Sequence, residues 1–353
     1  MSYSIIKADI NKNKDDIIGI WKKNSQKVIT ERYDWIYKNC PGGETHAWLI
    51  RDDKSGEFVG VTALFPVRMF IQGGIKNAAI AGDLFMNKNH RIAGPALMLQ
   101  REVISALKGE TFDLIYSFPN KASEPVLKRT GYKILGEKIR LVKILKTQNH
   151  LSRLPAGRYW APVAGPILNA ILRLSSFETW KINSGKYRGE IVDNFDERFD
   201  HLWERVRTRF SGRSERLGTI LEWKYLKSPY HQELKHFIFT LVNKQDGKLA
   251  GYIIFRQMEN TIEIRDVLYD LSSEFEHLFS SFLKYVRSLK ADTVSMTLMN
   301  SENIFISGMK KWGFHERKED EKVMIYLCDS KDDSHDQSTD NKDWLLLQCE
   351  DDM

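Results

Sequence analysis

Arg91-Ile92-Ala93-Gly94-Pro95-Ala96 stands between an apolar run at 78–86 and a run at 97–107 whose apolar residues recur at helical spacing. The first run has the length of a buried strand, and the second has the period of an amphipathic helix. The first N–H groups of a helix have no partner within it and lie at the positive end of its dipole, so they can bind phosphate. Gly94 would let a ligand approach the backbone closely. The stretch therefore predicts a strand, a turn and a helix start that form an anion site.

A second strand-to-helix unit follows. Residues 112–118 have strand character, Pro119-Asn120 ends the run, residues 124–130 form a short helix, and Gly131-Tyr132 ends that helix. Proline and glycine at these positions are typical of helix and strand boundaries. We expect the two units to lie side by side in one sheet.

The pattern R-x-x-G-x-A at 91–96 resembles the acyl-CoA pyrophosphate loop of the GNAT acyltransferase superfamily, and residues 112–132 resemble the segment that follows it there. It matches neither the Walker pattern nor the dinucleotide pattern. The resemblance covers about residues 1–145 and implies acetyl-CoA, or another acyl-CoA, as co-substrate. Pro95 departs from the pattern's usual chemistry because it has no N–H to donate.

The resemblance also implies a set of cofactor-binding residues. The backbone of Leu84, Phe85 and Met86 would line the pantetheine arm and polarise the thioester carbonyl. Residues Arg91, Ile92, Ala93, Gly94, Pro95 and Ala96 would hold the pyrophosphate, and Asn120 would bond the pantetheine amide.

The catalytic residues are less clearly marked in the sequence. Asp83, in the strand before the loop, is the candidate general base. Relatives place a tyrosine on the short helix as general acid, but Val126 and Leu127 occupy that region here. Tyr116 and Ser117 are the nearby hydroxyls. Because neighbouring strand residues point to opposite faces, only one of them can face the cleft.

The chain contains an internal repeat. Trp35-Ile-Tyr37 followed by Pro41 recurs as Trp223-Lys-Tyr225 followed by Pro229. Further landmarks keep their order: Gly60 and Gly251, Asp83 and Asp266, Asn120 and Asn300, Gly131 and Gly313. The repeat predicts an α/β (α+β) fold of two tandem GNAT-like domains, each a mixed, mainly antiparallel twisted sheet flanked by helices. Two unrelated α/β domains are the alternative.

The two copies differ in chemistry. Where the first has its glycine loop, residues 269–278 of the second contain no glycine and three acidic residues. These carboxylates would repel a pyrophosphate, so we expect that the second copy has kept the fold and lost the cofactor. The Trp-x-Tyr elements occur in both copies, which favours a structural role over a sugar platform.

The predicted layout has four parts: an acyl-CoA-binding domain at 1–146, a linker with an apolar helix at 147–188, a degenerate domain at 189–328, and an acidic tail at 329–353. A length of 353 residues fits two domains. The tail contains Trp344 and an apolar run, so it is either a docked final strand or a solvated end.

Charge and cysteine content bound the partners. The net charge is +6, with the negative charge concentrated in the tail, so the body suits anionic ligands such as CoA phosphates or lipid head groups. Three cysteines without a C-x-x-C pair, and histidines without clustering, predict neither disulfides nor a metal site. With no signal peptide at the start, we expect a cytoplasmic protein.

The linker leaves two interpretations open. Its apolar run is too short to cross a bilayer, and residues 158–174 either pack across the two domains or make peripheral contact with the inner face of the membrane.

The functional expectation is an acyl-CoA-dependent N-acyltransferase, an N-acetyltransferase in the simplest case. It would act on the amine of a small molecule or sugar precursor. The family resemblance suggests envelope polysaccharide synthesis as the pathway. We expect no nucleic-acid partner. A Fem-type aminoacyl transferase that uses aminoacyl-tRNA and a non-catalytic tandem scaffold are the alternatives.

Overall fold

A computed structural model describes residues 2–25, 28–91, 93–107, 112–147, 151, 157–180, 185–209, 212–301, 304–328 and 344–347. Ile92, most of the acidic tail and part of the predicted linker lie outside the described residues.

The first half of the chain contains six strands and four helices among its described residues. The strands are β1 Tyr3–Lys7, β2 His46–Asp52, β3 Phe58–Ile71, β4 Gly74–Met86, β5 Leu114–Ser117 and β6 Lys133–Ile144. The helices are α1 Lys14–Asn24, α2 Glu31–Tyr33, α3 Ala93–Ala106 and α4 Glu124–Arg129, and α2 runs into a π-helical turn, Asp34–Lys38. Helix α3 begins four residues before the predicted helical run, so it includes most of the glycine loop.

The second half follows two linker helices, α5 Gly157–Ser175 and α6 Phe177–Trp180. Its strands are β7 Tyr187–Val192, β8 Gly212–Ser214, β9 His236–Asn243, β10 Leu249–Met258, β11 Thr261–Tyr269, β12 Thr293–Met299 and β13 His315–Leu327. Its helices are α7 Glu197–Val206, α8 Gly218–Leu221, α9 Ser272–Ser288 and α10 Ile304–Lys311, with a π-helical turn, Glu222–Leu226, after α8. Apart from β8, these elements repeat the order of the first half, which confirms the predicted α/β repeat.

The landmarks of the repeat fall at equivalent places. The two Trp-x-Tyr elements form the two π-helical turns. Gly131 and Gly313 follow α4 and α10 with φ of +96° and +81°, a conformation that glycine adopts without a side-chain clash at the end of a helix.

The strands form one continuous sheet in the order β1-β2-β3-β4-β5-β13-β6-β12-β11-β10-β9-β7, with β8 paired to β3. The last strand of each half has been exchanged: β13 lies between β5 and β6, and β6 pairs with β12 of the second half. The two halves therefore share their central strands.

The hydrophobic cores are shared in the same way. Phe70 and Leu141, from the first half, belong to the core of the second. Trp223 and Ile325, from the second half, belong to a core of the first. Because each half completes the other's core, we expect the two repeats to unfold together. Among the described residues, no helix is long and apolar enough to cross a membrane.

Candidate active site

A gap opens between β4 and β5 in the first half. The two strands pair in parallel from Ala78 to Ile80 of β4, and no register continues beyond that point among the described residues. The Ser117 hydroxyl donates a hydrogen bond to the Ala81 carbonyl (2.9 Å) at the near end of the gap. Leu84 and Phe85, further along β4, are half-buried. The β5 side of β4 is therefore an open strand edge along the residues predicted to line pantetheine.

Helix α3 begins beside the end of β4. Gly94 is exposed, and a Cβ built on it would meet nothing within 4 Å. The first turn contains no acidic residue. Pro95 is buried and Ala96 is half-buried, while of Ala93 only the backbone position is described. Free backbone donors, open space and an absence of negative charge in this turn are what an anionic group requires at a helix start.

Arg91 holds the turn between β4 and α3 together. Its guanidinium donates to the Met86 carbonyl (2.9 Å) and to the Asn24 side-chain oxygen (2.7 Å). The predicted role of Arg91 was direct binding of pyrophosphate. That role stays a prediction, and the contacts of Arg91 join the end of β4 to the end of α1.

Asp83 occupies a β-bulge in β4. Gly82 pairs with Ala63 and Phe85 pairs with Val61, so two residues of β4 lie opposite one residue of β3. Asp83 has φ of +52°, in the left-handed region that non-glycine residues seldom adopt. Such a conformation persists where surrounding contacts hold it in place.

The contacts that hold Asp83 come from helix α2 and the π-helical turn after it. The Arg32 guanidinium donates to both carboxylate oxygens of Asp83 (2.9 Å each), and the Tyr37 hydroxyl donates to one of them (2.9 Å). Only 5% of the Asp83 side chain is exposed. The carboxylate is thus buried and accepts three hydrogen bonds.

The pKa values of the neighbouring groups follow from this arrangement. Burial would lower the pKa of Arg32, but the charge and hydrogen bonds of Asp83 outweigh it and raise the pKa, with smaller contributions from Tyr37 and from Tyr230 of the second half. Burial, followed by the negative charge of Asp83, raises the pKa of Tyr37 well above its ordinary value. Arg32 therefore stays charged and Tyr37 stays neutral at neutral pH.

These contacts argue against the predicted role of Asp83 as general base. Accepting a proton would break a two-point ion pair and leave the buried Arg32 charge without compensation, which is costly. The carboxylate holds the bulge from which Leu84 and Phe85 continue along β4.

Tyr116 and Ser117 point to opposite faces of β5, as strand alternation requires. Tyr116 is fully buried in the core on the α1 side and meets the Phe118 ring edge to face, 5.8 Å between centroids. Ser117 is the one of the two whose hydroxyl reaches across the β4–β5 gap. The burial of Tyr116 argues against its candidate role as proton donor in the cleft.

Asn120 has a local structural task. Its side-chain oxygen accepts hydrogen bonds from the backbone N–H groups of Ala122 and Ser123 (2.9 Å each). These bonds shape the turn that leads into α4. The oxygen predicted to bond pantetheine is therefore already engaged, and any contribution of Asn120 to a ligand would come from its NH2 group.

The equivalent helix start in the second half carries its own carboxylate. The Glu274 side chain accepts a hydrogen bond from the Leu271 N–H (3.1 Å) and another from the Tyr187 hydroxyl (3.1 Å). It thereby satisfies a donor at the start of α9 and places negative charge there. The expected unsuitability of this second site for phosphate has a direct structural cause.

The equivalent gap between β11 and β12 is filled by the chain itself. Trp344 and Leu347 form bridges with Gly212 and Leu298, and the Met299 N–H donates to the Leu346 carbonyl (2.8 Å). Residues 344–347 are each at most 1% exposed. These four residues of the tail therefore lie docked against β8 and β12.

Strand β8 contacts β11 on the other side of the gap between β11 and β12. Arg213 donates to the Asp266 carboxylate (2.8 Å) and to the Val267 carbonyl (2.5 Å), and Arg216 pairs with the other Asp266 oxygen (2.7 Å). Asp266 is the counterpart of Asp83, and it too is ion-paired with arginine. A paired aspartate at this position is thus common to both halves, whereas the open gap belongs to the first.

Nothing in the sequence pattern marks Arg32 as a site residue, since it lies in a separate helix and belongs to no motif. The repeated Trp-x-Tyr element marks Tyr37, but its presence in both copies favours a structural role and does not predict the contact with Asp83. Within the described ranges no group of three or more His, Cys, Asp or Glu side chains could hold a metal ion.

Solved structures with the same fold include a conserved protein from Enterococcus faecalis described as a probable N-acyltransferase (TM-score 0.65, 13% identity). They also include GCN5-related N-acetyltransferases from Anabaena variabilis (0.66, 15%) and Kribbella flavida (0.59, 13%). Each alignment covers 93% of this chain and 73% of the other. No family profile and no curated protein sequence matches the chain.

These alignments span both repeats, because 93% of the chain cannot lie within one half. The fold of the chain is therefore that of the GCN5-related N-acetyltransferases, in the tandem form that the repeat predicted. At 13–15% identity the likeness establishes the fold, and the activity is argued from the site.

Proposed function

We propose that the first half of the chain is an acyl-CoA-dependent N-acyltransferase with acetyl-CoA as the simplest donor. The observation that carries the proposal is the open helix start at Gly94 beside the open edge of β4. The second half has the same elements in the same order, but its helix start carries Glu274 and its gap holds residues 344–347. This difference between the halves supports one cofactor site per chain, in the first half.

The residues of the first half fit an acyl-CoA. The N–H groups of the first turn of α3 would hold the pyrophosphate, with Pro95 contributing none. The backbone groups of Leu84 and Phe85 on the β5 side of β4 would pair with the amides of pantetheine as a neighbouring strand does, whereas the Met86 carbonyl already accepts a hydrogen bond from Arg91. When bound, the thioester supplies an activated acyl group to an amine.

The chain's own residues then act by positioning. The Arg32–Asp83–Tyr37 cluster fixes the bulge in β4, and the backbone N–H groups that follow it are held in place before any ligand binds. Preorganised donors of this kind stabilise the negative charge that develops on a carbonyl oxygen under attack. Ser117 is the candidate to donate a proton at the gap, or to orient a water that does so.

The acceptor side of the site combines both halves of the chain. Tyr230, from the loop after the second π-helical turn, is near enough to Arg32 to help raise its pKa. A substrate that approached the bulge from this side would meet residues of both repeats. We propose the amine of a small molecule or sugar precursor as acceptor, with envelope polysaccharide synthesis as the pathway that the family resemblance suggests.

Calorimetry with acetyl-CoA tests the cofactor site. We expect one site per chain, and a loss of binding in Gly94→Asp, because the new carboxylate would enter the open space at the helix start. Gly19→Asp is the matched control, since Gly19 is also helical and its Cβ would also meet nothing within 4 Å. Two sites, no site, or equal losses in both variants would disprove the proposed location.

Thiol release in the presence of amino sugars tests the transfer step. Release that depends on both the acyl-CoA and the amine would establish the transferase, and binding without release would favour the non-catalytic scaffold. Transfer that needs charged tRNA in place of acyl-CoA would favour the Fem-type alternative.

A further inference from the structure

The linker helix α5 presents an apolar face to solvent. Ile167, Ile171 and Leu174 follow one another at the spacing of a single helix face and are 60%, 55% and 59% exposed. Tyr159, in the first turn of the same helix, is also strongly exposed. Large aliphatic side chains in this number on one exposed helix face mark an interaction surface.

The short helix α6 extends this face with two aromatic side chains. Phe177 and Trp180 are both exposed. The Trp180 indole donates to the carbonyl of Leu174, and the Thr179 hydroxyl donates to the carbonyl of Arg173 (2.6 Å). Helix α6 therefore folds back on the end of α5, with the Trp180 indole at Leu174 and the Phe177 ring edge to face against Trp312.

The opposite side of the linker is fixed to the body of the protein. The Asn169 side chain accepts hydrogen bonds from the Thr147 N–H and hydroxyl (2.7 and 3.0 Å). Glu178 is 1% exposed and pairs with Arg287 (2.8 Å) and Lys143 (3.3 Å). Since these buried contacts hold the linker, its apolar face is a fixed part of the surface.

A cationic cavity of about 570 Å³ lies between α5, α6 and the end of α9, and Asn169 and Arg173 line it from α5. Its lining includes four cations, Lys146, Arg173, Lys284 and Arg287, and one carboxylate, Glu178. That carboxylate is already paired with Arg287 and Lys143. The cavity therefore carries an excess of positive charge, and Arg173 on its rim is the neighbour of Leu174 on the apolar face.

From this combination we propose that α5 and α6 dock on an anionic phospholipid bilayer. The aliphatic side chains would enter the boundary between head groups and acyl chains, Tyr159 and Trp180 would lie at head-group level, and the cavity would receive a lipid phosphate. Exposed apolar side chains flanked by cations are the combination that binds anionic membrane surfaces. The proposal is independent of the acyl-transfer activity and holds for either outcome of its tests.

The charges favour a membrane over a second copy of the chain. A two-fold contact through the apolar face would bring the cationic rims of two cavities toward each other. Like charges placed opposite one another at an interface oppose association. An anionic lipid surface compensates the same charges.

Co-sedimentation of the full chain with vesicles tests the proposal. We expect binding to vesicles of phosphatidylcholine mixed with phosphatidylglycerol, weaker binding to pure phosphatidylcholine, and a decrease with added salt. The double variant Ile167→Ser/Ile171→Ser should bind about tenfold more weakly, because two aliphatic side chains no longer enter the bilayer. Its matched control is Ile75→Ser/Met258→Ser, which changes exposed aliphatic side chains elsewhere.

The charge is tested separately with Arg173→Glu/Lys284→Glu, which should lose the preference for anionic vesicles. The matched control is Lys54→Glu/Lys311→Glu, since both lysines are exposed and lie outside the cavity. Circular dichroism establishes that each variant is folded. Equal binding by the surface variants and their controls would overturn the proposal. So would binding of inorganic phosphate without vesicle binding, or self-association that the Ile167→Ser/Ile171→Ser variant abolishes.

Discussion

Trp35 and Trp223 stack on each other where the two repeats meet, with 4.5 Å between ring centroids and 17° between planes. Each indole N–H donates to the backbone carbonyl of the other tryptophan (3.0 and 3.2 Å). Equivalent residues of the two repeats thus contact each other through the same atoms in both directions, as in a two-fold interface. The repeated Trp-x-Tyr element is the contact between the halves.

This reciprocity predicts energetic coupling. Trp35→Ala and Trp223→Ala should each destabilise the protein by about 3–5 kcal/mol, the usual cost of truncating a buried aromatic side chain. The double variant should lose less than the sum of the two, because each single variant already removes the shared contact. Chemical denaturation gives the free energies of unfolding. Trp180→Ala, at an exposed site, is the control, and additive losses would contradict the coupling.

The Asp83 ion pair predicts a loss of stability with an unchanged pH profile. Asp83→Asn should destabilise the protein by about 3–5 kcal/mol, because it leaves the Arg32 charge, whose side chain is only 14% exposed, without its charged partner. Replacing both residues by Asp83→Asn and Arg32→Met should recover part of that loss. The residual turnover of Asp83→Asn should keep the pH dependence of the original protein. Loss of the acidic limb of the pH–rate profile would show instead that Asp83 is the general base.

Burial, and then the charges of Arg265 and Arg256, lower the pKa of His236 to about 3. Its ordinary value in an unfolded chain is about 6.5. Between these values the unfolded chain binds a proton that the folded chain does not, so stability falls as the pH decreases from about 6.5 toward 3. His236→Asn should reduce this dependence, and stability above about pH 7 should carry no His236 contribution to its slope. Thermal unfolding across this pH range is the measurement, and an unchanged slope would contradict the assignment.

Because the segment Trp344–Leu347 is docked, we expect the free energy of unfolding to depend sharply on whether the chain ends before or after it. Ending the chain after residue 343 should cost on the order of 5 kcal/mol, because it exposes four buried apolar side chains and the cavity that they fill. Ending it after Leu347 is the control and should change stability little. Since Glu274 still occupies the second helix start, the shorter chain should continue to bind one acyl-CoA. A second equivalent site on calorimetry would show that the docked segment alone excludes the cofactor.

Much of the architecture followed from the sequence because it is encoded locally. The glycine loop at 91–96, the turn at Asn120 and the glycines at 131 and 313 have conformations that neighbouring residues determine. The repeat was visible because both copies kept these local features in the same order. The acidic residues near 274 predicted a degenerate second site on charge alone, and the Glu274 contacts give the mechanism.

The tertiary structure decided the features that depend on residues far apart in the chain. Alternation along a strand shows which face is buried but not which strand lies beside it, so the exchange of β6 and β13 left no trace in the sequence. Arg32 and Asp83 are 51 residues apart in the chain, and their pairing is the observation from which we propose a positioning role for Asp83. The docking of residues 344–347 depends on a gap that exists only after β11 and β12 have diverged. Local conformation is set by neighbouring residues, whereas pairing and charge compensation are set by the folded chain as a whole.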